Sequence, residues 1–262
     1  MLEIKHITKV FYPGTVNEKT ALEDVSLTVN DGDVICVIGS NGSGKSTLFN
    51  LISGTYPVTS GEILLNGRNI THMPEYRRAF TIGRIFQDPT KGTAASMSIA
   101  DNMITASTKG MKGLRRSLNK AKKEEFAKLL EPIGLSKRLE DNVGLLSGGQ
   151  RQALTLLMTV MSKPQLVLLD EHTAALDPRN AQIVMDLTTQ YINQYNLTAL
   201  MVTHNMEFAI NYGNRLIMMD GGQIVLDIHG EEKKRLTVSK LVKLFRTVRN
   251  KEYDDDEGLL TK

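Results

Sequence analysis

Apolar and polar residues alternate over 2–7 and again over 21–29, the two-residue period of strands that bury one face. Between them, Phe11-Tyr12-Pro13-Gly14 reads as a turn with exposed aromatics. Val34-Ile35-Cys36-Val37-Ile38 replaces alternation with an unbroken apolar run, as in a strand covered on both faces. A helical period follows in Leu48, Phe49, Leu51 and Ile52. Alternation returns over 61–66, Asn66-Gly67 marks a hairpin turn, and 81–86 is a short apolar strand ending at Gln87-Asp88-Pro89.

From there to Leu146 the period is helical, over 98–106 and 113–133. Leu114, Leu118 and Ala121 share one stripe, and Lys112, Arg115, Arg116, Lys120, Lys122 and Lys123 lie opposite. That basic face is either solvated or turned towards anionic lipid headgroups. This insert is expected to form a helical subdomain, about 88–160, laid over the core. Helices over 148–161, 180–195 and 206–212 then alternate with strands over 166–170 and 198–203. Segments 215–219 and 223–226 form a closing hairpin around Asp220-Gly221-Gly222. Residues 238–248 form an amphipathic helix, and 253–258 a polar, acidic end. Strands alternating with helices predict an α/β fold with a mainly parallel core sheet.

Composition narrows this picture little. The 262 residues suit one large domain or two small ones, and 41% hydrophobic with 23% charged residues is ordinary for a soluble globular chain. A net charge of +3 gives no general argument for nucleic acid as a partner. The single cysteine, Cys36, excludes an internal disulfide framework. No apolar run approaches the roughly 18 residues of a spanning helix, and Met1–His6 lacks a signal-peptide core. The expectation is a cytoplasmic chain whose membrane role is borrowed from a partner.

The chemistry centres on Gly39-Ser40-Asn41-Gly42-Ser43-Gly44-Lys45-Ser46-Thr47, which follows the buried strand and opens a helix. Glycines let successive N–H groups converge on one anion, and the helix N-terminus adds its dipole. Lys45 is placed to reach the β- and γ-phosphates of a nucleoside triphosphate, and the Ser46 hydroxyl to ligate Mg²⁺. Leu166-Val167-Leu168-Leu169 delivers Asp170 towards that loop as a second metal ligand. Glu171, facing the other way, is the candidate general base for a lytic water. Ser147-Gly148-Gly149-Gln150 places a hydroxyl and glycine N–H groups at another helix start, a second anion site. One triphosphate has no use for both sites in one chain. Two copies do, each closing Ser147 and Gly149 over the nucleotide held by the other's Lys45, which predicts a two-fold dimer.

From about Leu2 to Leu226 these motifs, in this order, resemble the nucleotide-binding subunit of ATP-binding cassette (ABC) transporters. The resemblance implies a P-loop NTPase of the ABC type, with an antiparallel β subdomain and the helical subdomain beside the core. It implies an ATPase domain over 1–230 and a C-terminal helix and acidic tail over 231–262. Leu146–Gln150 matches the family signature, Gln87 the Q-loop glutamine at the Mg²⁺ and lytic water, and His204 the switch histidine at the γ-phosphate. Asp177, in Ala175-Leu176-Asp177, resembles the D-loop of the dimer interface. Phe11, in Lys9-Val10-Phe11, falls where an aromatic stacks on adenine, with Tyr12 as the competing candidate.

The chain departs from the family pattern at His172, usually proline, and at Ala153 and Met158, usually arginine. His172 and Leu156-Leu157-Met158 resemble bacterial importer ATPases paired with branched-chain-amino-acid-like permeases. The implied function is ATP hydrolysis driving a membrane permease, in an importer of a small solute such as amino acids. The implied partners are a second or homologous ATPase subunit, the integral-membrane permease and, indirectly, an extracellular substrate-binding protein. A groove near 90–103 is expected to receive a short permease helix. The alternatives are a cassette ATPase without a membrane partner and the separate ATPase of an exporter.

Overall fold

The computed structural model describes residues 1–108 and 118–247. Strands β1 (Leu2–Phe11), β2 (Lys19–Val29), β4 (Ser60–Leu65) and β5 (Arg68–Asn69) form an antiparallel sheet ordered β2-β1-β4-β5. Strands β3 (Val34–Gly39), β6 (Ile82–Ile85), β7 (Leu166–Asp170), β8 (Ala199–Val202), β9 (Arg215–Asp220) and β10 (Gln223–His229) form the second sheet, ordered β10-β9-β3-β8-β7-β6. Its pairings are parallel except β9–β10, the hairpin at the edge.

The unbroken apolar runs follow from a core on each face of this sheet. Ile35 and Val37 point into one, with Leu166, Leu168, Leu200 and Val202, against helix α1 (Lys45–Ser53) and the antiparallel sheet. Cys36 and Ile38 point into the other, with Val167, Leu169, Met201 and Met218. That second core is completed by α3 (Ile99–Ser107), α4 (Lys120–Leu130), α5 (Gly148–Met161) and α6 (Pro178–Tyr195). Cys36 is fully buried; its thiol donates to Tyr212 O at 3.0 Å, and burial pushes its pKa up to about 12.

Short helices α2 (Glu75–Arg78), α7 (Met206–Asn211) and α8 (Gly230–Lys234) complete the described elements, and 238–247 are helical as expected. Among the described residues no helix is long and apolar enough to cross a membrane.

The structure corrects several sequence-based bounds. Strand β1 runs on to Phe11 because register shifts between Ile4 and Ile7, Ile7 and Lys9, and Lys9 and Val10 break the alternation without ending the strand. The helix expected over 113–133 begins at Lys120, where the Asn119 side chain accepts from Lys122 N at 2.9 Å. It ends at Leu130, and Glu131-Pro132-Ile133 tightens into a 3-10 turn before Gly134. Lys112, Leu114, Arg115 and Arg116, and the acidic tail, lie outside the described residues.

One buried charge braces the helix behind the phosphate loop. The Arg78 guanidinium is 2% exposed and donates to four carbonyls: Leu51 at 2.7 Å, Ile52 at 2.9 Å, Thr71 at 2.9 Å and Met73 at 2.7 Å. Two of these belong to the last turn of α1, where only Leu51 O has another donor, the Gly54 N–H at 3.3 Å. Arg78→Met would remove all four bonds, at about 1–3 kcal/mol for each carbonyl left unpaired before water or backbone relaxation compensates. The expected net loss is about 3 kcal/mol, a fall in melting temperature of roughly 6–12 °C by thermal circular dichroism. A change of only about 1 °C would show that the brace contributes little.

Candidate functional site

Strand β3 ends at Gly39, and the loop to Gly44 turns directly into α1. A side chain at Gly39 is impossible, since a Cβ there would lie 2.2 Å from Met219 O and 2.6 Å from Ser43 Oγ. Lys45 is buried and folds over its own loop, donating to Gly39 O at 2.9 Å, Ser40 O at 2.7 Å and Ser43 Oγ at 3.4 Å. Burial lowers its pKa, opposed by the nearby carboxylates of Glu171, Asp170 and Asp220. Ser40 Oγ donates to Asp220 Oδ1 at 2.8 Å, which ties the loop to the end of β9. Asn41, Gly42 and Ser46 are exposed, and Thr47 is half-buried.

Asp170 closes β7, beside β8 and β6. Its Oδ2 accepts from an Arg84 guanidinium nitrogen at 2.8 Å. Asp170 and Gln87 line one cleft of about 580 Å³ with Asn50, Arg84 and Asp88. Glu171 lies at φ 48°, in the left-handed region that costs a non-glycine residue roughly 1–3 kcal/mol. Its N–H is held by Val202 O at 3.1 Å, and its carboxylate meets His204 Nε2 at 2.6 Å. Glu171 and His204 thus sit together, the acid recessed and the imidazole exposed.

Ser147 caps α5 in a reciprocal box: its Oγ accepts from Gln150 N at 3.3 Å, and Gln150 Oε1 accepts from Ser147 N at 3.2 Å. Ser147 and Gly148 are exposed. Gly149 is buried against Asn180, where a Cβ would come within 3.0 Å of that side chain. Asn180 in turn donates to Asp177 Oδ2 at 2.6 Å, and Asp177 caps α6, so the segments 147–150 and 175–177 touch within one chain. Helix α5 packs on α3, α6 and β6, whereas α1 packs on β2, β3 and β7. Gln152, on the buried side of α5, donates to Phe86 O at 3.0 Å and so links that helix to the residue before Gln87.

At the end of β1, Phe11 meets Tyr56 edge-on with centroids 5.4 Å apart, and the Lys9 ammonium lies 4.9 Å from its ring centre. Tyr12 beside it is 69% exposed. His172 is fully buried and its pKa falls to about 4 because burial disfavours the imidazolium. Its Nε2 lies 3.1 Å from Thr188 Oγ1, whose hydroxyl donates to Val184 O at 2.7 Å. The ring nitrogen is therefore the donor in that pair. Ala153 and Met158 are buried apolar positions of α5.

Two residues of this neighbourhood escaped the sequence reading. Arg84 is the one charge in the apolar segment Ile82-Gly83-Arg84-Ile85, a signal that could have found it. Asp220 ends the apolar strand Leu216–Met219 just as Asp170 ends Leu166–Leu169, yet reads as part of a hairpin turn.

A phosphate loop, a strand ending in two acids and a glycine-rich capped helix on this two-sheet fold define an ATP-hydrolysing cassette of the P-loop class. The chain belongs to the ABC transporter family, whose model matches residues 22–174. It is 44% identical over 248 residues to the tyrosine transport ATP-binding protein of Clostridioides difficile, covering 94% of this chain and 98% of that one. It is 33% identical to methionine import ATP-binding protein MetN 2 of Enterococcus faecalis, over 92% of this chain and 67% of the relative. The ADP conformation of an ATP-binding cassette from an ABC transporter superposes with TM-score 0.75 at 30% identity, covering 94% of this chain and 98% of that one. A nucleotide-free cassette gives TM-score 0.74 at 29% identity, with the same coverages.

Proposed function

We propose that this chain is the ATPase subunit of an importer, in which two copies, or this chain and a homologous subunit, close on two Mg-ATP and drive a membrane permease. The observation that carries the reading is the exposed Ser147 cap at the start of α5, a helix that packs on other elements than α1, which opens with Lys45. A ligand can drive closure only by binding the closed state better than the open one. A γ-phosphate bridging Lys45 of one copy and Ser147 of the other supplies that difference.

Roles follow from the site. Gly39, Ser40, Asn41, Gly42, Ser43, Gly44 and Thr47 cradle the phosphates, with Phe11 or Tyr12 against the base. Mg²⁺ arrives on phosphates and asks the protein for few oxygen donors. Ser46, Asp170 and Gln87 offer hydroxyl, carboxylate and amide oxygens of that kind. The ion's chemistry is to neutralise charge developing on the phosphates. Glu171 takes the proton from the attacking water, and His204, whose Nε2 lies 2.6 Å from its carboxylate, steadies it and meets the γ-phosphate. Gly148, Gly149, Gln150 and Asp177 shape the surface that meets the other copy.

The described residues of the span 88–160 form the moving helical subdomain. The seat for a short permease helix is a groove of about 410 Å³ between that subdomain and the core, lined by Tyr76, Phe80, Phe86, Thr105 and Met158, which touches the expected span 90–103 only at Gly92. The Gln152–Phe86 bond couples α5 to the Gln87 segment, so that closure and permease movement are linked. The relatives named for tyrosine transport and methionine import support an amino acid as cargo. In this reading an extracellular binding protein delivers it, and this chain sits on the cytoplasmic face of the membrane.

Ser147→Arg tests the shared grip. The variant is expected to bind ATP in the single chain like the wild type, to form no ATP-dependent dimer in size-exclusion chromatography with light scattering, and to lose about 100-fold in turnover. Wild-type dimerisation and turnover in this variant would overturn the reading.

A further inference from the structure

Arg84 does not belong to any motif of the nucleotide site, yet it reaches the centre of it. Its side chain crosses from β6 to the end of β7 and donates to Asp170 Oδ2 at 2.8 Å. The other terminal nitrogen donates to two side chains of α1, Asn50 Oδ1 at 2.7 Å and Ser53 Oγ at 3.1 Å. The guanidinium carbon lies 4.8 Å from the Phe86 ring centre, which fixes the plane from one side. Both members of the ion pair are largely buried, at 12% and 15% exposure. Arg84 Nε is buried without a hydrogen-bond partner, so the geometry serves the two terminal nitrogens.

We propose that Arg84 is a built-in counter-cation for Asp170, a positioning residue that sets how tightly the site takes a divalent ion. The inference rests on the reading of Asp170 as the metal-anchoring carboxylate. In its favour, Arg84, Asp170 and Gln87 line the same cleft. A guanidinium bonded to one carboxylate oxygen withdraws charge from that carboxylate and repels a second cation arriving at it. In a partly buried site this repulsion is screened less than at the surface. The two cations are therefore coupled through one carboxylate, and removing one must strengthen binding of the other by the same free energy.

The consequence is a carboxylate already paired by a cation, and a site that holds a bare divalent ion weakly. A divalent ion carried by a triphosphate brings its own negative charge and does not meet the same barrier. Arg84 thereby favours the metal–nucleotide complex over the free ion. Because β6 leads into Gln87 and its preceding carbonyl is held by α5, the same guanidinium also ties the carboxylate to the strand that feeds the Gln87 segment.

The test uses Mn²⁺ alone as probe, titrated into the full chain without nucleotide and followed by the electron paramagnetic resonance signal of the free ion. Arg84→Met is expected to bind Mn²⁺ about fivefold or more tighter than the wild type, the lower end of ordinary site–site coupling. Arg84→Gln, which keeps hydrogen-bonding capacity and loses the charge, is expected to follow Arg84→Met. Arg84→Lys, which keeps the charge, is expected to follow the wild type. Unchanged or weaker Mn²⁺ binding in both neutral variants, each with wild-type circular dichroism, would overturn the proposal. So would wild-type affinity in Arg84→Gln alone, because hydrogen-bond geometry and not charge would then be the cause. Adding Asp170→Asn to Arg84→Met separates the two layers: tight binding that survives it refutes Asp170 as the anchor, whereas binding that depends on Asp170 but ignores Arg84 refutes only the counter-cation.

Discussion

Glu171→Gln is expected to bind Mg-ATP like the wild type, to turn it over about 10²–10⁴-fold more slowly, and to accumulate as an ATP-bound dimer. The magnitude is that of losing a general base. The substitution keeps the shape and one oxygen acceptor of the side chain and removes its capacity to take a proton. The structure supports this assignment in two ways. The Glu171 backbone is held in the left-handed region, a conformation that only its surroundings can maintain. Its carboxylate is recessed and lies 2.6 Å from His204 Nε2, a close pair that orients it. Phosphate release gives the rate, and light scattering with ATP and Mg²⁺ gives the mass. A variant that stays monomeric with ATP and still hydrolyses it would contradict the base role.

Lys45→Ala is expected to lower ATP affinity by at least about 100-fold, roughly 3 kcal/mol, the usual cost of truncating one side of a desolvated charge pair. Lys45 is buried beside three carboxylates, and in the absence of phosphate its three donors are spent on its own loop. A triphosphate can take the place of those partners. Isothermal titration calorimetry checks the effect, and unchanged ATP affinity would remove the phosphate-loop argument.

Much of this site was legible before any coordinates, for a physical reason. The central strand must be apolar on both faces, the loop after it must be rich in glycine, and the helix after that must begin with Lys-Ser. Those constraints act on neighbouring residues, so they leave a local pattern. The same holds for Leu166–Glu171 and for Ser147–Gln150. What was hidden depends on residues distant in sequence. The true length of β1 was masked because its bulges cancel the alternation that marks a strand. The start of α4 rests on the Asn119 cap, a single residue amid a run of helix formers. Arg84 meets Asp170 across 86 positions of chain and Ser40 meets Asp220 across 180, separations at which no periodicity survives.

The thiol under the central sheet has a practical corollary. With Cys36 fully buried and its pKa near 12, almost no thiolate is available to an alkylating reagent at neutral pH. Spin labels or fluorophores can therefore be attached at engineered cysteines on the outer surface of the native sequence, without first removing the natural one. Distances between labelled copies would then report how far the halves travel during each cycle.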